Sequence, residues 1–313
     1  MSAAVLSAAA GTAAGRRDVR RRRLRRFLRH RLAVASAVVL ALLILAAAFA
    51  PAVERLLGAD IRNVDLTALL QGPSLAHPLG TDELGRDLLV RLLYGGRISL
   101  LVGLSAAVFS ALIGAVVGIL AGYFGGRLDD LLMRFTDGVI ALPILPLLIV
   151  LAAVDLTKLG LPASVANASD ISLYRIIVIT ALFGWTGVAR LVRGATLSLK
   201  EREFVRAAIA MGASPWRVMR VHILPNAISP IVVATTLSVG GIILFESVLS
   251  FLGLGIQPPI PSWGNMLTGA QEQMTNAPLL MIWPGLMIFV TVIAFNFLGD
   301  GLQDALDPRA LGD

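Results

Sequence analysis

One acid stands deep within an apolar run: Glu246, with Ser247 and Ser250 close behind it, in the stretch 226–251. A carboxyl at that depth is expensive in hydrocarbon and marks a functional-site hypothesis. Two readings stay open. Glu246, Ser247 and Ser250 line a translocation path for a polar solute, or Glu246 sits near the outer end of its helix, snorkelling or hydrogen-bonded to a neighbouring one. A second polar group, His77, Asp82, Glu83 and Asp87, consists of metal-ligand residue types. A helix start at Thr81 with acids in its first turn and a solvated face explains them without an ion, so no metal site is expected. No catalytic residue is expected either. The chain has 3 His, no clustered acid–base pair in an apolar run, and no GxxxxGK[ST] loop to cradle a phosphate. With Cys 0, disulfides, thiolate metal sites and a cysteine nucleophile are excluded.

The strongest spacing signal lies in the polar insert 201–226. Glu203, Phe204, Val205 and Arg206 lead into Ala207, Ala208 and Ala210, so one face of a helix here is nearly bare of side chains. Such a face lets another surface approach the backbone closely. After Met211, Gly212 stops the helix, because glycine is a poor interior residue and a common C-terminal stop. Past Ala213, Ser214 and Pro215 start a second helix as N-cap and first helical residue. Two short helices with a glycine elbow, between two apolar runs, have the form of a docking element. The plain alternative is a hairpin that only links two spans.

At these residues the chain resembles the EAA loop of ABC-transporter permeases, whose coupling helices sit in grooves of cytoplasmic ATPases. The match runs through Glu203-Phe-Val-Arg-Ala207-Ala208, Gly212 and Ile223-Leu224-Pro225-Asn226, with Arg206 where the family usually has an acid. The stretch 77–87 resembles the HxLGTDxLGRD signature of peptide-type permeases, and Glu246-Ser-Val-Leu-Ser-Phe-Leu-Gly-Leu-Gly255 matches the same group. The tail 299–308 resembles its GDxLxDxLDP ending.

The elements that must position these residues follow from composition. The chain has 313 residues, 57% hydrophobic and 15% charged, with a mean hydropathy of +0.81, which places it among polytopic membrane proteins. Met1 to Gly15 is Ala/Ser-rich and reads as unstructured, followed by an Arg run at 16–31. Flush against the apolar stretch 32–50, that run is an orientation signal or a contact to anionic lipid rather than to nucleic acid. An uncleaved first span is expected there, because the apolar run is longer than a signal-peptide core of ~7–15 residues and Pro51 sits at the would-be cleavage point. The expected organisation is a cytosolic arm 1–31, a first transmembrane helix 32–50, an outer loop 51–97, a five-helix core 98–300 containing the loop 201–226, and a cytosolic tail 301–313. Within 51–97, Leu84, Leu88 and Leu92 predict a short amphipathic helix along the interface. Further spans are expected at 98–122, 135–154, 173–192, from Asn226 to 251, and at 279–298. Pro143 and Pro146 should kink the third or leave carbonyls free in it. Ala106, Ser110, Gly114, Gly118 and Gly122 form a stripe of small residues for close helix packing, within the subunit or against a partner. Six spans put both ends on one side, and basic residues at 127, 134 and 190–220 mark it as the cytoplasmic one.

The resemblance implies the rest. An all-α, six-span, type I importer permease is expected, the C-type subunit of a dipeptide/oligopeptide importer in a bacterial inner membrane, both termini cytoplasmic. Partners would be a homologous B-type permease, two ATPase subunits holding ATP and Mg, and an extracytoplasmic substrate-binding protein, with no cofactor on this chain. Coupling to the ATPases would fall to Glu203, Phe204, Arg206, Ala207, Ala208, Met211, Gly212, Ala213, Ser214 and Pro215. Nickel complexes, glutathione or another small solute are alternative cargoes. A secondary transporter is the alternative of another class, but it would want ionisable groups in several spans and usually internal repeats.

Overall fold

The computed structural model describes residues 24–306 apart from 62, 167 and 169. The unstructured reading of 1–15, most of the Arg arm and the end of the tail lie outside these residues. Every regular element among them is helical. We number the helices α1 (Arg31–Ala48), α2 (Ala50–Leu57), α3 (Leu88–Phe124), α4 (Gly126–Ala141), α5 (Ile144–Ala153), α6 (Ile171–Lys200), α7 (Glu203–Ala210), α8 (Pro215–Phe251), α9 (Trp263–Ala270) and α10 (Leu279–Leu306). Helices α1, α3, α6, α8 and α10 are long and apolar enough to cross a membrane, and α4 with α5 makes a sixth crossing when the bent pair is counted as one.

The bundle is built on α3 against α6, the most extensive helix pair in the molecule. The small-residue stripe explains the closeness of that contact, and it packs within the subunit. A Cβ on Gly114 would lie 2.6 Å from the Trp185 carbonyl, and one on Gly118 would lie 2.6 Å from that of Ala189. Only hydrogen fits between those backbones. Helix α8 packs across α3 and α10, and α10 packs back on α1. His30 Nε2 and Asp304 Oδ2 are 3.7 Å apart, so α1 begins where α10 finishes, at the end of the bundle that carries α7.

Several expected boundaries move, each for a physical reason. Helix α3 starts at Leu88 rather than 98, so the amphipathic helix expected through Leu88 and Leu92 is its first turns instead of a separate interfacial piece. Its cap is Asp87, whose Oδ1 accepts from the Val90 N–H at 2.9 Å, and Thr81 instead pairs with Asp87 in a short bridge. The third span is broken rather than kinked: α4 and α5 meet at 83° around Pro143. Helix α4 also takes in Gly126 to Arg134, expected as a turn. No fresh start occurs at Asn226. Helix α8 runs through from Pro215 and absorbs Pro225 with a π turn over Val218–Ile223, in which the Leu224 N–H reaches back to the Met219 carbonyl. Helix α10 continues through 299–306, so the start of the expected tail is helical.

Candidate functional site

The connector between α6 and α8 is rooted below and bare above. Helix α7 turns Val205 into a buried cluster with Ile119 and Tyr123 of α3, Val188 and Val192 of α6, and Val218, Met219 and Ile223 of α8, and its Ala208 is buried too. Its end is a Schellman stop. The Gly212 N–H donates to Ile209 and the Ala213 N–H to Ala208, with Gly212 at φ +82 in the left-handed region that favours glycine. Ser214 Oγ then accepts from the Arg217 N–H at 3.4 Å, with Pro215 at the first helical position. Lys200 Nζ donates to the Tyr123 carbonyl at 2.7 Å, tying the α6 end to α3. The connector is therefore packed onto the ends of α3, α6 and α8.

Its outer surface is apolar at the apex. Met211 is 82% exposed and Trp216 67%, and Phe204, Ile209, Arg202, Arg206, Arg217 and Arg220 of the same connector are exposed too. Exposed apolar side chains of this size, rimmed by charge, mark a surface that meets another. The structure brings Glu203, Phe204, Arg206, Ala207, Met211, Gly212, Ser214 and Pro215 onto this surface. Ala208 is not on it, and Ala213 is half-buried. At helical spacing, Ala207 and Ala208 point in different directions, so the second Ala seats α7 on the body while the first stays open. Trp216 and Ile209 join the surface without having been singled out. A Trp directly after an N1 proline, outside any apolar run, was the available signal.

Glu246 lies at the other end of the bundle, within the last turns of α8, and is 0% exposed. Ser99 Oγ of α3 donates to its Oε2 at 3.1 Å and Ser250 Oγ donates to its Oε1 at 2.7 Å. Ser99 in turn accepts from the Trp263 N–H at 3.2 Å, and Ser250 from the Ile256 N–H at 3.1 Å. Trp263 Nε1 donates to the Leu92 carbonyl at 3.0 Å, and a capping box between Ser262 and Asn265 starts α9 beside it. Ser247 is buried too. The carboxyl thus pins α9 and the segment before it to α3 and α8, the surroundings of the hydrogen-bonded reading above. Ser99, Ser262 and Trp263 were missed in sequence because only the fold brings them to Glu246.

The segment 65–87 folds over the start of α3. Asp82 Oδ2 pairs with Arg86 Nε at 2.8 Å and with Arg91 Nη1, and its Oδ1 accepts the Leu84 and Arg86 N–H groups. Burial pushes the Asp82 carboxyl up, but Arg91, Arg86 and the two N–H groups outweigh it and hold it below the usual carboxylate range. His77 Nδ1 lies 3.0 Å from Asp87 Oδ2. Asp82 and Asp87 are thus engaged with arginines, a histidine and a cap, and the described residues gather no three His, Asp or Glu around a point.

Residues 114–312 match the family described as binding-protein-dependent transport system inner membrane component, and residues 20–73 match the N-terminal TM domain of oligopeptide transport permease C. The chain is similar to the glutathione transport system permease protein GsiD of Pectobacterium atrosepticum, 44% identical over 78% of this chain and 77% of that one. It is 42% identical to the oligopeptide transport system permease protein OppC of Haemophilus influenzae over 88% of this chain and 84% of that one. The OppC of Bacillus subtilis is 39% identical over 87% and 84%. A solved structure titled as inward facing conformations of the MetNI methionine ABC transporter shares the fold, at TM-score 0.53 and 20% identity, over 69% of this chain and 96% of that one.

Proposed function

The chain belongs to the binding-protein-dependent transport system inner membrane component family, and on that premise we propose that it forms half of the translocation pathway of an ATP-driven importer of di- or oligopeptides. It is a multi-pass membrane permease subunit of an ABC importer with the type I fold. The peptide cargo is supported by the OppC relatives and by the match of residues 20–73. A second reading, glutathione, is favoured by the GsiD relatives, and both cargoes are short peptide-like molecules bearing carboxylates.

The observation that carries the coupling role is the connector, exposed and apolar at Met211 and Trp216 yet rooted through Val205, Val218 and Ile223 into three spans. Of two ATPase subunits holding ATP and Mg, one would dock on Glu203, Phe204, Arg206, Ala207, Met211, Gly212, Ser214 and Pro215, and the other on the homologous permease. Drawn together by nucleotide, they would push this packed piece and tilt the spans, the two-state element that coupling requires. Ala208 and Ala213 would act from beneath, holding the elbow. A homologous permease would complete the pathway and a substrate-binding protein would cover the opposite end. The connector end would be cytoplasmic, with both termini, as its arginines favour.

The test is Gly212→Leu in the assembled complex. Beyond its chain neighbours, no heavy atom of the described residues lies within 4 Å of the missing Cβ, so space is free, but φ +82 strains any side-chain-bearing residue by about 1–2 kcal/mol. The variant is expected to insert and assemble, to keep ATP hydrolysis, and to lose most uptake. Uptake at the wild-type rate would remove the connector from the coupling role.

A further inference from the structure

A cavity of ≈ 300 Å³ opens at the end of the bundle opposite the connector, with Val154, Asp155, Ser172, Arg175, Gln257 and Pro258 among its walls. Arg175 stands on the second turn of α6, half-buried, in the wall of this cavity, and its Nε is shut off from solvent with no hydrogen-bond partner among the described residues. Among the described residues no carboxylate pairs with this guanidinium, and carboxylate is the group its planar fork fits best. Asp155 lines the same cavity. Its Oδ1 accepts from the Thr157 N–H at 3.0 Å and the Thr157 hydroxyl at 2.7 Å, and its Oδ2 carries no hydrogen bond among the described residues. The Thr157 hydroxyl first, then its N–H, lower the Asp155 pKa and keep it ionised. The wall between is fixed: Ser172 Oγ accepts from the Gln257 N–H at 3.3 Å, and Gln257 Nε2 donates to the Gly253 carbonyl at 2.8 Å. Separate opposite charges in a cavity at the small end of ligand pockets, about 300–1,000 Å³, suit a small zwitterion.

We propose that this cavity is an outer subsite of the permease that holds a short peptide by its terminal carboxylate on Arg175, with Asp155 facing its ammonium. The inference rests on the peptide reading above and deepens it by adding a recognition step on the permease itself.

The chain has no cysteine, so Val154→Cys puts a single thiol of this subunit in the cavity wall. Its maleimide labelling is followed in the assembled complex, with alanyl-alanine titrated to plateau. Labelling is expected to slow about tenfold at ~10 times Kd by mass action, to be unaffected by alanyl-alaninamide, and to lose its protection when Arg175→Gln is added. Equal protection by the amide, or protection that persists in Arg175→Gln, overturns the subsite. Should Arg175→Gln not assemble, Arg175→Lys, which keeps the charge and loses the fork, must weaken protection; unchanged protection is equally fatal. If loaded binding protein slows labelling while free dipeptide does not, the cavity is a docking contact and the proposal falls. Uptake of alanyl-alanine by the reconstituted complex separates the two levels. Uptake without protection overturns the subsite alone, whereas no uptake by the unmodified complex overturns the peptide reading with it.

Discussion

Replacing Glu246 by Leu tests whether this acid is a clamp or part of the path. The two side chains are similar in volume, so the change opens no large cavity and acts through hydrogen bonds. Ser99 and Ser250 lose the acceptors they hold at 3.1 and 2.7 Å, while Ser99 and Ser250 still accept from Trp263 and Ile256. An unmatched buried polar group costs about 1–3 kcal/mol. Each serine can turn its hydroxyl toward a carbonyl one turn back in its own helix, which puts the sum near the lower part of the range, about 2–3 kcal/mol. That loss falls on the docking of α9, because α9 is joined to α3 through Ser99 and Trp263. At 1.4 kcal/mol per decade, the amides of 266–270 should exchange about 30- to 150-fold faster. Glu246→Gln keeps one carbonyl acceptor and should raise exchange by less than about tenfold. Hydrogen exchange by mass spectrometry in nanodiscs reads this directly, with uptake measured alongside. Unchanged α9 exchange in Glu246→Leu would refute the clamp. Lost uptake in Glu246→Gln with wild-type exchange would return Glu246, Ser247 and Ser250 to the translocation path.

Gly118→Val should destabilise the chain by about 2–3 kcal/mol, since the new Cβ meets a fixed backbone carbonyl at 2.6 Å and cannot be accommodated by a rotamer change; a thermal midpoint in detergent equal to wild type would contradict it. Asp82→Asn should loosen the segment 65–87 by ~3 kcal/mol by leaving Arg86 and Arg91 with a neutral partner, seen as faster limited proteolysis there. In the wild-type chain the Asp82 contribution has a definite pH window. Its folded pKa is below the unfolded value of about 3.9, so the contribution is complete above that value and is lost as pH falls through the folded one. Proteolytic resistance of this segment should therefore hold flat from pH 7 to pH 5, and a midpoint near pH 6 would contradict the assignment. Trp216→Ala should weaken ATPase association about tenfold or more, as loss of an exposed aromatic anchor does; pull-down titration at wild-type affinity would exclude Trp216 from the interface.

Much of the architecture was legible because a bilayer reads sequence crudely. A span needs about 20 apolar residues, and such runs stand out in this chain whatever their neighbours are. The connector was legible for a different reason. Its stop and restart at Gly212, Ser214 and Pro215 are local hydrogen-bonding events, completed within a few residues and so written in the order of the chain. Helix ends were less legible. Helix α3 reaches back to Leu88 because Asp87 caps it and the segment 65–87 covers it, and α8 passes Pro225 because a π turn takes up the mismatch.

What tertiary structure alone decided is which side chains meet. Ser99 and Glu246 are 147 positions apart, and Ser99 and Trp263 are 164; periodicity says that each needs a partner and nothing about which. The small-residue stripe was visible in sequence, but only the packing of α3 on α6 places it inside the subunit rather than against another. Arg175 belongs to no pattern in the sequence, and only the fold sets it in a cavity wall together with Asp155. The physical reason is common to all three: hydrophobicity and backbone caps act along the chain, whereas satisfaction of buried polar groups is settled by distance in space.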